Sequence, residues 1–333
     1  MVSPRNYTTR RFRPEDAPGV AACFLDTYGD SYPLKDCYNP HWFTELNMTG
    51  KQLSAVAVED GTGDVVGHCS LQYRFPWPVG ECGQIVVKQG HQGRSLAVRM
   101  GQFLEKEALG AGLICMVSYE VTSHHATQLI AHRARFSPCG LILGAMPATL
   151  DFRNLTGLVS QRESCMVSLK YLVPPKPARI SPPAHHKDMI SRIYAGLGRP
   201  VFFQSPSKFS GPGEVIVRES QVWETAEILV RRIAENTPRD IRSHLGELLG
   251  RQGIEVIYLE IPLDQGGEGT VCHEAEKLGF FFAGLGPSST GNGEALILQY
   301  LKTRLDLSYP RVVTPMGREI LAYIIQERRR VYG

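Results

Sequence analysis

The eight cysteines of this chain never form a C-x-x-C pair. Cys23, Cys37, Cys69, Cys82, Cys115, Cys139, Cys165 and Cys272 stand singly, several inside apolar runs such as "LICMV". That scatter argues against a zinc or disulfide framework and fits free cysteines acting as small buried hydrophobes in a reducing compartment. No run approaches the ~18 apolar residues of a membrane helix, and "MVSPRNYTTRRF" lacks the apolar core of a signal peptide. A cytoplasmic, soluble protein without a membrane partner is expected. Charge of one sign is also scarce: the net is +3, with 21% charged and 43% hydrophobic residues, which gives no support for a nucleic-acid partner. The one basic run, "ERRRVYG", is expected to be a solvated helix end favoured by the macrodipole. No Walker loop, dinucleotide fingerprint or Ser-His-Asp order is present, and "GLGPSSTGNGEA", between two apolar runs, is expected to be a hairpin turn. His125 and His132, seven apart on a helical pattern, are separated by about 10.5 Å along the axis, too far to share one zinc. No metal is expected.

What is present reads as alternating elements. "RPEDAPGVAACFLDTYGDSY" predicts a helix from about Asp16 to Tyr28. "QLSAVAVED" and "VVGHCSLQY", joined by "GTGD", predict a hairpin. A strand "CGQIVV", a helix from Arg94 to about Leu109, a strand "LICMVSYEV", a short helix "HHATQLIAHRA", a strand "CGLILGAM" and, after a loop of about twenty residues, a strand "CMVSLKYLV" follow. The 333 residues are about twice a usual domain. The stretch 174–186, with five prolines in thirteen residues, is expected to be an irregular linker. Domains are therefore expected at 1–173 and 187–333. "FSPCGL" (136–141) and "FFFAGL" (280–285) share Phe, Gly and Leu at a constant offset of 144, and the order helix, strand, helix, strand recurs around them, which predicts an internal repeat.

The turn "QGRSLA" joins a strand to a helix. Such a corner gathers unpaired backbone N–H groups at the positive end of a helix dipole and suits a pyrophosphate. Small residues let the ligand approach, and Gly93, Ser95 and Ala97 supply them. Ser95 is expected to keep a helical φ and to offer its hydroxyl to a phosphate oxygen.

The element order, the opening "RFRPEDAPGV" and this turn resemble the GNAT (GCN5-related) N-acetyltransferase family, whose acyl-CoA motif is Q/R-x-x-G-x-G/A. Gln92 matches the first position and Ala97 the last, and Ser95 replaces the middle glycine. The resemblance covers roughly residues 10–173. In the second half it is limited to element order and "KLGFFFAG". It implies an α/β fold of layered α+β type: two tandem GNAT-like lobes on central mixed, mainly antiparallel sheets, the second lobe degenerate. It also implies acetyl-CoA or another acyl-CoA as cosubstrate. Ile85, Val86 and Val87 would pair with the pantetheine arm, whose two amides suit an exposed strand edge. The stretch Gly93, Arg94, Ser95, Leu96 and Ala97 would hold the pyrophosphate with Gln92, and His124 would touch the cofactor. At the same offset the second half has "NTPRDI", where Pro238 removes an N–H and Asp240 adds a negative charge, so that lobe is expected to have lost the site.

Acyl transfer to an amine requires a base and is helped by an acid for the leaving thiolate. The resemblance implies a strand carboxylate as base. Glu81 is the first candidate and Glu120 the second. The family's tyrosine acid maps onto Ala131, and its neighbouring glycine onto Arg135. Tyr119 and His132 are the nearest substitutes. The chain is thus expected to be an N-acetyltransferase acting on a small-molecule or peptide amine. The rival is a non-catalytic module that senses acyl-CoA or binds a protein partner. Aromatics of "DSYPLKDCYNPHWF" and "LQYRFPWPVG" line an acceptor site or simply pack, and the sequence leaves both open.

Overall fold

The computed structural model describes residues 5–76, 78–149, 151–152, 157–205, 211–291 and 293–333. Its first half contains β1 (Tyr7–Arg11), α1 (Ala17–Tyr28), α2 (Pro40–Met48), β2 (Gln52–Glu59), β3 (Val65–Gln72), β4 (Val79–Val87), α3 (Leu96–Gly110), β5 (Cys115–Val121), α4 (Ala126–Arg133) and β6 (Ser137–Met146). Two-residue strands β7 (Asp151–Phe152) and β8 (Gly157–Leu158) interrupt the expected loop before β9 (Glu163–Tyr171). The second half contains β10 (Ala178–Ile180), α5 (Lys187–Gly196), β11 (Val201–Phe203), β12 (Glu214–Ser220), β13 (Thr225–Arg232), α6 (Thr237–Leu249), β14 (Val256–Pro262), α7 (Glu268–Lys277), β15 (Phe281–Pro287), β16 (Glu294–Leu301) and α8 (Pro315–Tyr332).

Alternation in β2 sends Ala55 and Ala57 to one face and Val56 and Val58 to the other. The first face packs under Leu96, Met100 and Leu104 of α3, the second under Val20 and Phe24 of α1. Helices thus cover both faces of the sheet's first half. All eight cysteines are free and buried, as their apolar contexts predict.

One twelve-stranded sheet runs through the molecule in the order β1-β2-β3-β4-β5-β9-β6-β15-β16-β14-β13-β12. From β3 to β6 the pairings are antiparallel, parallel, antiparallel, antiparallel. From β12 to β15 they run in the same sequence. The two series meet where β6 pairs β15 at Gly140↔Gly284, the two glycines that stand 144 residues apart in the matched segments. Both must be glycine. A Cβ at Gly284, where φ is +127°, would lie 2.2 Å from the Gly140 Cα and 2.5 Å from the Cys139 carbonyl oxygen. Helices α5 and α8 close one face of this seam, with Ile190, Ile193, Ile320 and Ile324 in one core with Leu141, Leu143 and Phe280–Phe282. Across the seam, the Leu143 N–H donates to Gln299 Oε1 at 3.0 Å.

Two expectations need correction. The proline-rich stretch is not wholly irregular: β10 within it pairs in parallel with β11, because Pro174, Pro175, Pro177, Pro182 and Pro183 all flank the three-residue strand and leave its N–H groups intact. The basic C-terminal run is not simply solvated. Arg330 bonds Glu276 at 2.6 Å and Glu327 at 2.7 Å, carboxylates that the neighbouring helix turn and α7 place beside it. The β15–β16 connection is the hairpin predicted, closed by the Ser288 N–H on the Gly293 carbonyl at 3.0 Å. Asn292 within it lies outside the described residues.

Candidate active site

Strands β4 and β5 run in register from Val79↔Cys115 to Cys82↔Ser118, and there the pairing stops. Beyond it Gln84 adopts φ +52°, a bulge that turns β4 away from its neighbour. The sequence offers no glycine at that position to announce the bend. Ile85, Val86 and Val87 therefore form a strand segment paired on its β3 side and open toward β5.

The chain then passes through "QGRSLA" into α3. Gly93 has φ +74° and Ser95 φ +57°. The helical φ expected for Ser95 is thus wrong: serine takes the left-handed conformation of the glycine it replaces, because the chain must reverse before α3 starts. Arg135, the other replaced glycine, likewise has φ +64°. No side chain caps α3, so its first N–H groups face outward. Gln92 Nε2 donates to the Val87 carbonyl at 3.1 Å and braces the turn. Leu96 points inward to the α3 core and Val86 to the α1 core, so each reaches the groove by its backbone.

A groove of about 340 Å³ runs along this edge, and it is lined by Ile85, Val86, Val87, Gln92, Gly93, Arg94, Ser95, Leu96, Ala97 and His124 together. Burial, then the neighbouring His125, lowers His124 to about 4, so its imidazole is neutral at pH 7. Ile85, Ala97, Val98, Thr127 and Ile130 are shared with a deeper cavity of about 110 Å³ in the gap between β4 and β5. Tyr119 and Met146 are shared in turn with a third cavity of about 570 Å³ at the junction of the two halves. Three spaces thus adjoin one another from the helix terminus to the junction.

Glu81 lies in the wall of the junction cavity, and Tyr119 lies between that cavity and the inner one. Burial raises the Glu81 carboxyl, and Arg74 partly offsets it. Burial places the Tyr119 phenol far above its ordinary value. Glu120 is 2% exposed and lines the inner cavity. Ser168 Oγ donates to its Oε2 at 2.8 Å, while Oε1 has no partner. Burial, opposed by the Ser118 and Ser168 hydroxyls, brings Glu120 to about 8. It is mainly protonated at pH 7, so the second candidate base is an acid there. Ala131 lines the same inner cavity, and His132 is exposed on its outer side. Of the loop aromatics, Tyr32 lines the inner cavity and Phe75 the junction, whereas Phe43 is core. Trp77 lies outside the described residues.

The second half supplies wall residues that sequence reasoning missed: Arg218, Trp223, Thr225, Glu227, Tyr258, Glu260 and Ser289 all face the junction cavity. They are far apart in sequence, and only the strand order brings them opposite Glu81. A separate cluster, His185, His186, Cys272 and Glu276, has ligand-type atoms within 4.8 Å of one another. Its geometry is that of an ion-paired knot: Glu276 Oε1 meets His185 Nε2 at 2.8 Å, His186 Nε2 at 3.1 Å and Arg330 at 2.6 Å.

The acetyltransferase (GNAT) family model matches residues 21–133. No curated protein matches the chain. Among solved structures, the chain is similar to an N-acetyltransferase from Staphylococcus aureus Mu50 (17% identity, 50% of this chain and 99% of that one, TM-score 0.41). It is also similar to yncA from Salmonella typhimurium, solved with acetyl-CoA (19%, 50% and 95%, TM-score 0.40), and to the ribosomal-protein-S5-alanine acetyltransferase of Vibrio fischeri (16%, 50% and 92%, TM-score 0.40). The family match spans most of α1, the β4–β5 gap, the open turn and α4, so residues 21–133 are similar to the GNAT family of acyltransferases, which take acetyl-CoA as cosubstrate.

Proposed function

We propose that this protein transfers an acyl group, in the first instance acetyl, from acyl-CoA to an amine bound in the junction cavity. The observation that carries the reading is the run of three adjoining spaces, from the open α3 terminus past the β4–β5 gap to Glu81. The groove fits an acyl-CoA. Unpaired amides at a helix N-terminus suit the pyrophosphate, and the β4 edge that leaves β5 presents backbone groups to an extended amide-bearing arm. Acyl-CoA would supply the activated thioester.

The chain's own groups then divide the proton work. Glu81, half-buried beside Arg74, accepts the proton of the attacking amine. Glu120 holds a proton at its carboxyl in the inner cavity, next to Ala131, and offers it to the leaving thiolate. Two carboxyls in different surroundings thus take opposite roles. The second half, residues 187–333, is read as a GNAT-like lobe that no longer holds CoA and instead builds the far wall of the acceptor cavity.

The test is thiol release from acetyl-CoA across a panel of amines. Turnover above background is expected, with Glu81→Gln slowing it about 10²-fold. Ala97→Glu, which sets a carboxylate among the α3 amides, should abolish acetyl-CoA binding while the circular dichroism spectrum stays unchanged. Acetyl-CoA binding without turnover on any amine would favour a sensor, a reading consistent with Ala131 standing where the family has its tyrosine. Unchanged binding by Ala97→Glu would overturn the groove assignment.

A further inference from the structure

The junction cavity is built unevenly in charge, and that unevenness has a chemical meaning. Its volume of about 570 Å³ lies within the range of small-molecule sites. Glu227 on β13 and Glu260 on β14 sit on adjacent parallel strands, with Glu227 beside Tyr258 and Leu229 beside Glu260. The face carrying Ala226, Ile228 and Val230 packs in the core with α6 residues Ile241, Leu245 and Leu248. Glu227, Leu229, Tyr258 and Glu260 all line the cavity. Among the described residues no salt bridge reaches Glu81, Glu227 or Glu260. Glu260, 7% exposed, accepts the Ser289 N–H at 2.6 Å. Ser289 Oγ is buried and without a partner.

The cavity's cationic groups, Arg74 and Arg218, are both exposed. Their charges are screened by water, whereas Glu260 and Ser289 form an interior wall. Burial raises both second-half carboxyls and Arg218 partly offsets each; at Glu260 the Ser289 N–H and nearby hydroxyl also oppose burial and the Glu227 charge adds to it, which leaves it at about 7. Two carboxyls share a poorly hydrated surface with the Ser289 hydroxyl beside them. An ammonium between them would satisfy all three groups, and Trp223 and Tyr258 would flank its carbon stem.

We propose that the acceptor is a dicationic amine, whose reacting nitrogen lies at Glu81 while its second, non-reacting ammonium is held by Glu227, Glu260 and Ser289 on the opposite wall. This rests on the acyl-transfer reading above. An acceptor with a carboxylate at that end would meet two carboxyls and is disfavoured.

The experiment compares 1,5-diaminopentane with n-pentylamine, equal in length and differing in one ammonium, as acceptors with acetyl-CoA. The diamine should be favoured in kcat/KM by about 30-fold or more, the scale of one charge-assisted hydrogen-bond network. Glu260→Gln keeps an acceptor for the Ser289 N–H and should reduce that preference toward 1 through a higher KM for the diamine. Ser289→Ala should reduce it less. No preference for the diamine, or a preference that survives both Glu227→Gln and Glu260→Gln, would overturn the inference. If neither amine is acetylated, the acyl-transfer reading is judged separately on the wider amine panel, and calorimetric titration of 1,5-diaminopentane decides the site. Heat that disappears in Glu260→Gln upholds it, and absence of heat with the wild-type chain refutes it.

Discussion

Two strand–turn–helix corners stand in equivalent places in the two halves of this chain, one opening α3 at Leu96 and the other α6 at Thr237. At the first, Gly93 and Ser95 turn the chain with positive φ, and the first residues of the helix line a groove. At the second, Asn236 and Thr237 fill the corner. Asn236 Oδ1 accepts the Gly213 N–H at 3.1 Å, Thr237 Oγ1 accepts the Ala234 N–H at 2.8 Å, and Asp240 adds a carboxylate to the first turn. The Gly213 backbone is so close that a Cβ there would meet both side chains within 3 Å. The same backbone plan thus borders an open groove in one case and a corner filled by its own side chains in the other. Strand order decides where a helix N-terminus lies, and a handful of side chains decides whether anything else can use it.

The largest effect is expected where the two halves meet. Gly284→Val forces a branched side chain into the Gly140 backbone at a positive φ. It should cost at least about 3 kcal/mol of stability or prevent folding, as read by urea denaturation. A stable variant with native spectra would show that the seam is looser than described.

Next in size is the chemistry of the first half. Glu120→Gln should lower kcat about 10- to 100-fold at neutral pH. It should also remove the decline in rate that is expected of the wild type as pH rises through about 8. Stability gives an independent reading of the same proton. The folded-state value is raised from an ordinary 4.5 to about 8, so the stabilisation of the protonated form is complete below 4.5 and lost as pH rises through about 8. The wild-type melting temperature should therefore fall between pH 5 and 8 relative to that of the variant. Parallel curves would mean that Glu120 is ionised throughout.

The smallest effect belongs to the filled corner. Thr237→Ala leaves the Ala234 N–H without its acceptor and should cost about 1–2 kcal/mol, with acetyl-CoA affinity unchanged. A change in affinity would tie the second corner to the site.

Much of this was legible in the sequence, for physical reasons. Alternation in "QLSAVAVE" and "VVGHCSLQ" marks β2 and β3, and helical spacing after "QGRS" marks α3. The groove residues lie within a short stretch, apart from His124, so local reading finds them together. Ser95 misled because serine rarely takes φ +57°, and nothing local announces that the corner demands it. The ladder of β10 with β11 depends on a partner more than twenty residues away, which proline content alone conceals. The pair Gly140 and Gly284 was visible as a repeated letter, but not as a contact, since repetition does not say which copies touch. Glu227, Glu260 and Ser289 carried no motif at all, and a long-range fold is what turns them toward Glu81.

On the proposed function, one corner binds the cosubstrate and the other does not. Calorimetric titration of the intact chain with acetyl-CoA tests it most directly. One site per chain is expected, abolished by Ala97→Glu and untouched by Arg239→Glu at the second corner. Two sites per chain, or one site that responds to Arg239→Glu instead, would contradict it.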